Sequence, residues 1–238
     1  MFTRKSFCFI LFAALLSIST LCAGDSATYV DLGFSPDGRV YFFGQYGIQA
    51  VTLRPWAELY GVDVFQNNFV SGGRLSYTHN SPAVPGQNGS GALFQLINRN
   101  SALINRYRLD FLQQGQSLYL DMDDLRQEEP TALSMAAINF RDFEQSASYT
   151  ATLSADISGS GRNLQSSFSI NLERTARDGA RKRYTVGNPQ IKRSQIASYM
   201  IRRVIISPRK DSLIFVIEMR LPGDSGYDIR YMIETVGL

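Results

Sequence analysis

Hydrophobic residues recur with a period of two through much of this chain. Leu153, Ala155 and Ile157 alternate with Thr152, Ser154 and Asp156, and Phe168, Ile170 and Leu172 alternate with Ser167, Ser169, Asn171 and Glu173. That pattern predicts an antiparallel sheet with one wet face, its strands joined through Ser158-Gly159-Ser160-Gly161. Arg39 to Tyr46 is instead nearly continuously apolar, which predicts a strand buried on both faces. Helical spacing occurs once: Leu93, Ile97, Ile104, Tyr107 and Phe111 fall on one face, with Asn98, Arg99, Asn105 and Arg106 turned away. One amphipathic helix ending before Gly115 is predicted. Leu118 to Leu120 read as a short strand, and the acidic stretch Asp121 to Glu129 closes at Pro130. Ser71 to Gly91, centred on Pro82-Ala83-Val84-Pro85-Gly86, reads as a loop.

A motif near the start returns near the end. Phe34-Ser35-Pro36-Asp37-Gly38-Arg39 runs into Val40-Tyr41-Phe42-Phe43, and Ile206-Ser207-Pro208-Arg209-Lys210-Asp211 runs into Ser212-Leu213-Ile214-Phe215. Each reads as strand, tight turn, strand: proline pre-sets φ at the second turn position, and Gly38 can take the left-handed conformation. A third strand follows in both copies, as Tyr60-Gly61-Val62-Asp63 and Tyr231-Met232-Ile233-Glu234 share the order Tyr, any residue, β-branched, acidic. Asn67-Asn68 supplies a turn to a fourth strand at Phe69-Val70. The unit resembles a TolB-type β-propeller blade; closing a propeller takes about four or more blades, and two are found.

The chain is also similar to a bacterial family of secreted proteins without an assigned activity. The residues concerned are Val30-Asp31-Leu32-Gly33-Phe34-Ser35-Pro36-Asp37-Gly38, Phe43-Gly44-Gln45-Tyr46-Gly47, and Ile201-Arg202-Arg203-Val204 with Ser207-Pro208. The resemblance implies architecture and export, and no activity. It leads one to expect Asp-Gly after Pro208. Arg209-Lys210 stand there, so the second turn is of another type or carries strain.

Residues 1–24 have the form of a secretory leader: Arg4 and Lys5, the apolar run Phe7 to Leu16, and the small-residue exit Cys22-Ala23-Gly24. The mature chain is expected to start at Gly24 or Asp25, exported to the periplasm or beyond, without a membrane span. Lipidation at Cys22 is disfavoured by Leu21 before it. Both cysteines, Cys8 and Cys22, belong to the leader or its edge, so the exported part folds without disulfides. The formal charge of +3 includes Arg4 and Lys5, which leaves the remainder near neutral, so the whole-chain charge gives no argument for nucleic acid, and no nucleic-acid partner is expected.

Candidate chemistry is sparse. Gly24-Asp25-Ser26 resembles a lipase nucleophile motif but lacks a preceding strand and a C-terminal histidine, so a disordered N-terminus is the plainer reading. Gly223-Asp224-Ser225-Gly226 reads as a hairpin loop. His79 is the only histidine, in a polar loop, and with no mature cysteine this leaves no zinc or copper site and no cofactor. The acids between Asp121 and Glu129 lack the glycine and closing glutamate of a calcium loop. A basic loop around Arg181, Lys182 and Arg183, continued by Lys192 and Arg193, could face an anionic surface or an acidic envelope protein; alternatively these are solvent-facing strand residues. Trp56 and Tyr60, in an aromatic cluster with Tyr41, Phe42, Phe43 and Tyr46, could form a binding platform or a core between sheets.

The sequence thus predicts a mainly β fold of antiparallel sheets. After the leader at 1–24, residues 25–238 form a single domain: a blade-like unit over 25–70, loop, helix and meander over 71–190, and a second blade-like unit over 191–238. The two units lie side by side. The function expected is non-catalytic binding of another envelope component. The alternatives are a hydrolase with a paired Asp/Glu acid and base, and a small-ligand or sugar binder.

Overall fold

The computed structural model describes residues 25–122, 135–223 and 226–238; the expected leader and most of the acidic stretch lie outside these. The fold is mainly β, built of antiparallel sheets. The first sheet has the order β1 (Thr28–Phe34), β2 (Val40–Ile48), β3 (Pro55–Asp63), β4 (Asn68–Thr78). Helices α1 (Ser90–Arg99) and α2 (Ser101–Arg106) and strand β5 (Gln116–Leu120) follow. The middle sheet comprises β6 (Met135–Asp142), β7 (Ala147–Ser158), β8 (Gln165–Thr175), β9 (Arg181–Val186) and β10 (Arg193–Ser194). The C-terminal sheet has the order β13 (Gly226–Gly237), β12 (Ser212–Gly223), β11 (Ser198–Ile206), β5.

Strand alternation sorts the apolar residues into three cores. On β12, Leu213, Phe215 and Ile217 pack with Leu153, Phe168, Ile170 and Leu172 of the middle sheet. The intervening Ile214 and Val216 pack with Tyr41, Phe43 and Val62 of the first sheet. The other face of β2, at Val40 and Phe42, meets Leu93 and Leu96 of α1 and Ile104 of α2. The layers therefore run helices, first sheet, C-terminal sheet, middle sheet, and the two Ser-Pro units are adjacent as expected. Bulges keep this assignment in phase. Arg202 is the extra residue between Ile201 and Arg203, so Ile201 and Val204 both face the middle sheet.

The two Ser-Pro turns are the same turn. Ser35 Oγ accepts from Val40 N at 2.9 Å and donates to Asp37 at 2.6 Å; Ser207 Oγ accepts from Ser212 N at 3.2 Å and donates to Asp211 at 2.9 Å. The glycine position has φ 68° at Gly38 and φ 60° at Lys210, so of the two expectations for the second turn, strain is the one realised. Lys210 is held there by its N–H to Ser207 O at 2.9 Å and an ion pair with Glu144 at 3.2 Å.

Several expectations need correction. Both units have a third strand, but their shared pattern is out of register: Tyr60 lies opposite Phe43, and Tyr231 opposite Glu218. Relative to the turns, Glu234 rather than Tyr231 is the counterpart of Tyr60. The fourth strands differ too, β4 pairing with β3 in one sheet and β5 with β11 in the other. No closed propeller forms among the described residues. Ser71–Thr78 is strand, not loop: β4 contains a bulge at Val70–Gly73 opposite Gly61, where a Cβ on Gly73 would come within 2.5 Å of Gly61 O. The single helix is two, because Asn100 interrupts it and its side chain caps Leu96 O at 2.8 Å; Phe111 lies beyond, 45 % exposed. Arg181–Arg183 form part of β9 and not a loop.

The shared turn gives a direct test. Gly38→Lys places a side chain in the left-handed region and against Arg209, 3.0 Å from the Cβ position, and should destabilise by about 1–2 kcal/mol. Lys210→Gly relieves the same strain and should match or exceed the parent protein in urea denaturation.

Candidate functional site

A cleft of about 830 Å³ opens beside the interface of the first and C-terminal sheets. Strands β2–β4 form one wall, β13 the other, and the segment from Gly187 to Arg193 closes a third side. Its volume is in the range of small-ligand sites.

One wall carries an aromatic ladder across all four strands of the first sheet. Tyr29 stacks on Phe43 at 5.6 Å, Phe43 on Tyr60 at 4.9 Å, and Tyr60 on Phe69 at 5.6 Å, each pair within 28° of parallel. The first three rings are wholly or partly buried. Phe69, on the edge strand, is 47 % exposed and lines the cleft. Stacking from the core outward thus fixes the orientation of a ring that solvent reaches.

The polar groups in the cleft are held in two networks. Buried Gln45 donates from Nε2 to Glu58 Oε2 at 2.7 Å and accepts from Tyr231 N at 2.8 Å. Tyr60 Oη donates to the same Glu58 oxygen at 2.7 Å. Burial, with the Glu58 charge, raises the Tyr60 phenol well above its ordinary pKa, so it remains a donor. In the second network Asn67, at φ 49°, accepts from Thr235 N at 2.8 Å and donates to Glu234 Oε2, while Arg193 donates to Glu234 Oε1 at 3.1 Å. Burial raises the Glu234 carboxyl, partly offset by Asn67 and Arg193. Gln66, Asn68 and Asn188 lie exposed at the mouth; Asn68 Oδ1 accepts from Phe69 N at 2.8 Å and Asn188 Oδ1 from Gln190 N at 2.9 Å, which leaves their side-chain nitrogens turned to solvent.

Of the residues singled out from sequence, Tyr60 lines this cleft and Trp56 does not. Trp56 is 6 % exposed, donates to Asp25 Oδ1 at 3.0 Å and is covered by the Arg230 guanidinium 4.1 Å from its ring centre. Its place is structural, and it ties down an N-terminal segment expected to be disordered: Asp25 is buried and bonded to β13. Arg181 and Arg183 are exposed on β9, flank Glu173 at 3.5 and 2.9 Å and stand outside the cleft; Lys182 lies over the Tyr184 ring at 4.7 Å. Lys192 pairs with Asp156 at 2.6 Å. His79 is exposed in a loop, its Nδ1 accepting from Ser81 N. Gly223 and Gly226 pair at the β12–β13 hairpin, while Asp224 and Ser225 lie outside the described residues. The sequence reading missed Phe69 and Glu234 as cleft residues. The signal for Phe69 was its place directly after an Asn-Asn turn, an exposed aromatic at the start of an edge strand.

A second raised carboxyl, Asp31, sits beneath the paired hydroxyls of Tyr29 and Tyr41, 2.7 Å apart, with Arg203 at 3.5 Å; burial is the main cause. For both Asp31 and Glu234 the folded chain holds its proton more tightly than the unfolded chain, whose carboxyls titrate near 4. Their contribution to stability is therefore full below about pH 4 and is lost as pH rises through the raised folded values. Glu234→Gln removes one of the two, so its urea midpoint relative to the parent protein should rise between pH 4 and pH 7. A constant difference across that window would contradict the assignment.

Among the described residues no helix is long and apolar enough to cross a membrane. No curated protein and no solved structure matches the chain. Residues 42–237, from β2 to the last strand, match the family described as Predicted secreted protein (DUF2259). The span covers the middle and C-terminal sheets, the first sheet apart from β1 and the start of β2, and both walls of the cleft, and the chain belongs to that family of predicted secreted proteins.

Proposed function

We propose that this is a non-catalytic exported protein that binds another component of the envelope, and that the component is an uncharged, hydroxyl-rich ligand such as a glycan, held in the cleft. The observation that carries the reading is Phe69, the exposed end of a four-ring ladder in a cleft whose mouth also presents the exposed side-chain amide nitrogens of Gln66, Asn68 and Asn188. An aromatic face suits the C–H face of a sugar ring. Carboxamides donate and accept, as hydroxyls do. Fixed charge in the cleft is nearly balanced: Arg193 pairs with Glu234 and Arg230 with Asp25, which leaves Arg74 against Glu58. Arg181, Lys182 and Arg183 have no part in it.

A second reading, a hydrolase with a carboxylate pair, is favoured by one observation: Glu58 and Glu234 line the same cleft, and Glu234 has a raised pKa. Against it, Glu234 accepts from both Asn67 and Arg193, and its side chain is 8 % exposed, which leaves it poorly placed to give a proton to a substrate.

Titration with neutral oligosaccharides (chitotetraose, cellotetraose and maltotetraose) followed by calorimetry separates the readings. Binding without turnover is expected, weakened about tenfold or more by Phe69→Ala, of the order measured for loss of one aromatic stack. Neutralising Arg181, Lys182 and Arg183 together should leave it unchanged. Cleavage of a bound oligosaccharide that Glu58→Gln abolishes would replace the binding reading by the hydrolytic one.

A further inference from the structure

A cluster at the start of the described chain is short of one positive charge. The Asp25 carboxylate, 9 % exposed, accepts from Arg230 Nη2 at 2.7 Å and from Trp56 Nε1 at 3.0 Å. The Asp25 carbonyl accepts from Ile229 N at 2.9 Å and Arg230 Nη1 at 2.8 Å. The backbone nitrogen of Asp25 points at a second carboxylate, Asp228 Oδ1, at 2.6 Å. The cluster thus holds two carboxylates and one guanidinium, which bonds the carboxylate of Asp25, while Asp228 meets the Asp25 nitrogen. An amide nitrogen facing Asp228 carries no charge, whereas an ammonium there would make the cluster neutral.

We propose that the export leader is removed at the Gly24–Asp25 bond and that the α-ammonium so formed is the missing cation, held by Asp228. A leader-removing endopeptidase adds water across that amide; Gly24 departs with the new carboxylate and Asp25 nitrogen takes up protons to become an ammonium. Because Asp25 is buried against β13 and Trp56, cleavage precedes docking of this segment, and docking follows from the charge that cleavage creates. An ion pair with well-formed hydrogen bonds in a partly buried site is among the stronger polar contacts a fold can add. Docking also closes the chain: Ala27 N donates to Ile229 O at 3.0 Å, Ser26 bridges β13 in parallel, and the first strand is thereby joined to the last. A start at Gly24 would leave an amide facing Asp228 and place the ammonium one residue away.

The full chain, exported with its own leader and recovered, should give a mass and N-terminal sequence beginning at Asp25. Recovery beginning at Gly24 or elsewhere overturns the cleavage assignment. The charge pairing is tested by a cycle in which Asp228→Asn is combined with a single glycine added before Asp25. In the chain starting at Asp25, Asp228→Asn should lower the folding equilibrium constant about tenfold; in the extended chain the same substitution should have a much smaller effect. Equal losses in the two backgrounds would overturn the pairing even if both chains fold.

Discussion

Burial of β12 on both faces is the constraint on which the rest of this fold depends. Leu213, Phe215 and Ile217 point one way and Ile214 and Val216 the other, all at 0 or 1 % exposure. Each fully buried side chain of this kind contributes about 1.5–3 kcal/mol through removal from water. A strand with two apolar faces needs cover on each side, and for β12 that cover is a sheet on both. The last sheet in sequence therefore lies between the other two. With no cysteine among the described residues, this shared central layer is what joins the first and middle sheets.

The cleft follows from the same arrangement. β13 is an edge strand of the central sheet, so the first sheet's inner face loses its cover towards β3 and β4. Where cover persists, the aromatic ladder is core; where it ends, Phe69 meets solvent. Polar groups at the boundary are then caught between burial and hydration, which is why Glu58 is anchored by Gln45 and Tyr60, and Glu234 by Asn67 and Arg193. The N-terminal segment uses the far part of β13 in a comparable way, with Asp25 set between Trp56 and Arg230. β13 thus carries the polar chemistry of the molecule because only one side of it is paired along its length.

Local features were legible in the sequence and long-range ones were not. The alternation of Leu153 to Ile157 and Phe168 to Leu172, the two-sided apolar run at Val40 to Phe43 and the Asn67-Asn68 turn are local patterns, and the strands stand where those patterns place them. The left-handed Lys210 was legible as a departure from Asp-Gly, because the hydrogen bonds of Ser207 impose the turn whichever residue occupies that position. Asn100 and the Val70–Gly73 bulge escaped notice since periodicity averages over single interruptions. The register of the third strands misled because Tyr-x-β-branched-acidic is short, and pairing follows the turn rather than the motif. Arg181 and Arg183 looked like an open basic loop only while Glu173, eight and ten residues earlier, was not known to lie on the neighbouring strand opposite Arg183 and within reach of both. The cleft itself joins residues from β2 to β13, and no local pattern encodes that meeting.

Native-state hydrogen exchange tests the central layer most directly. If β12 holds both outer sheets, its amides from Leu213 to Ile217, with their β11 partners, exchange only through global unfolding and are the slowest in the protein, while β4, β6 and β9 exchange faster through local opening. Protection of the first or middle sheet that outlasts protection of β12 would mean that the outer sheets stand without it, and would contradict the account.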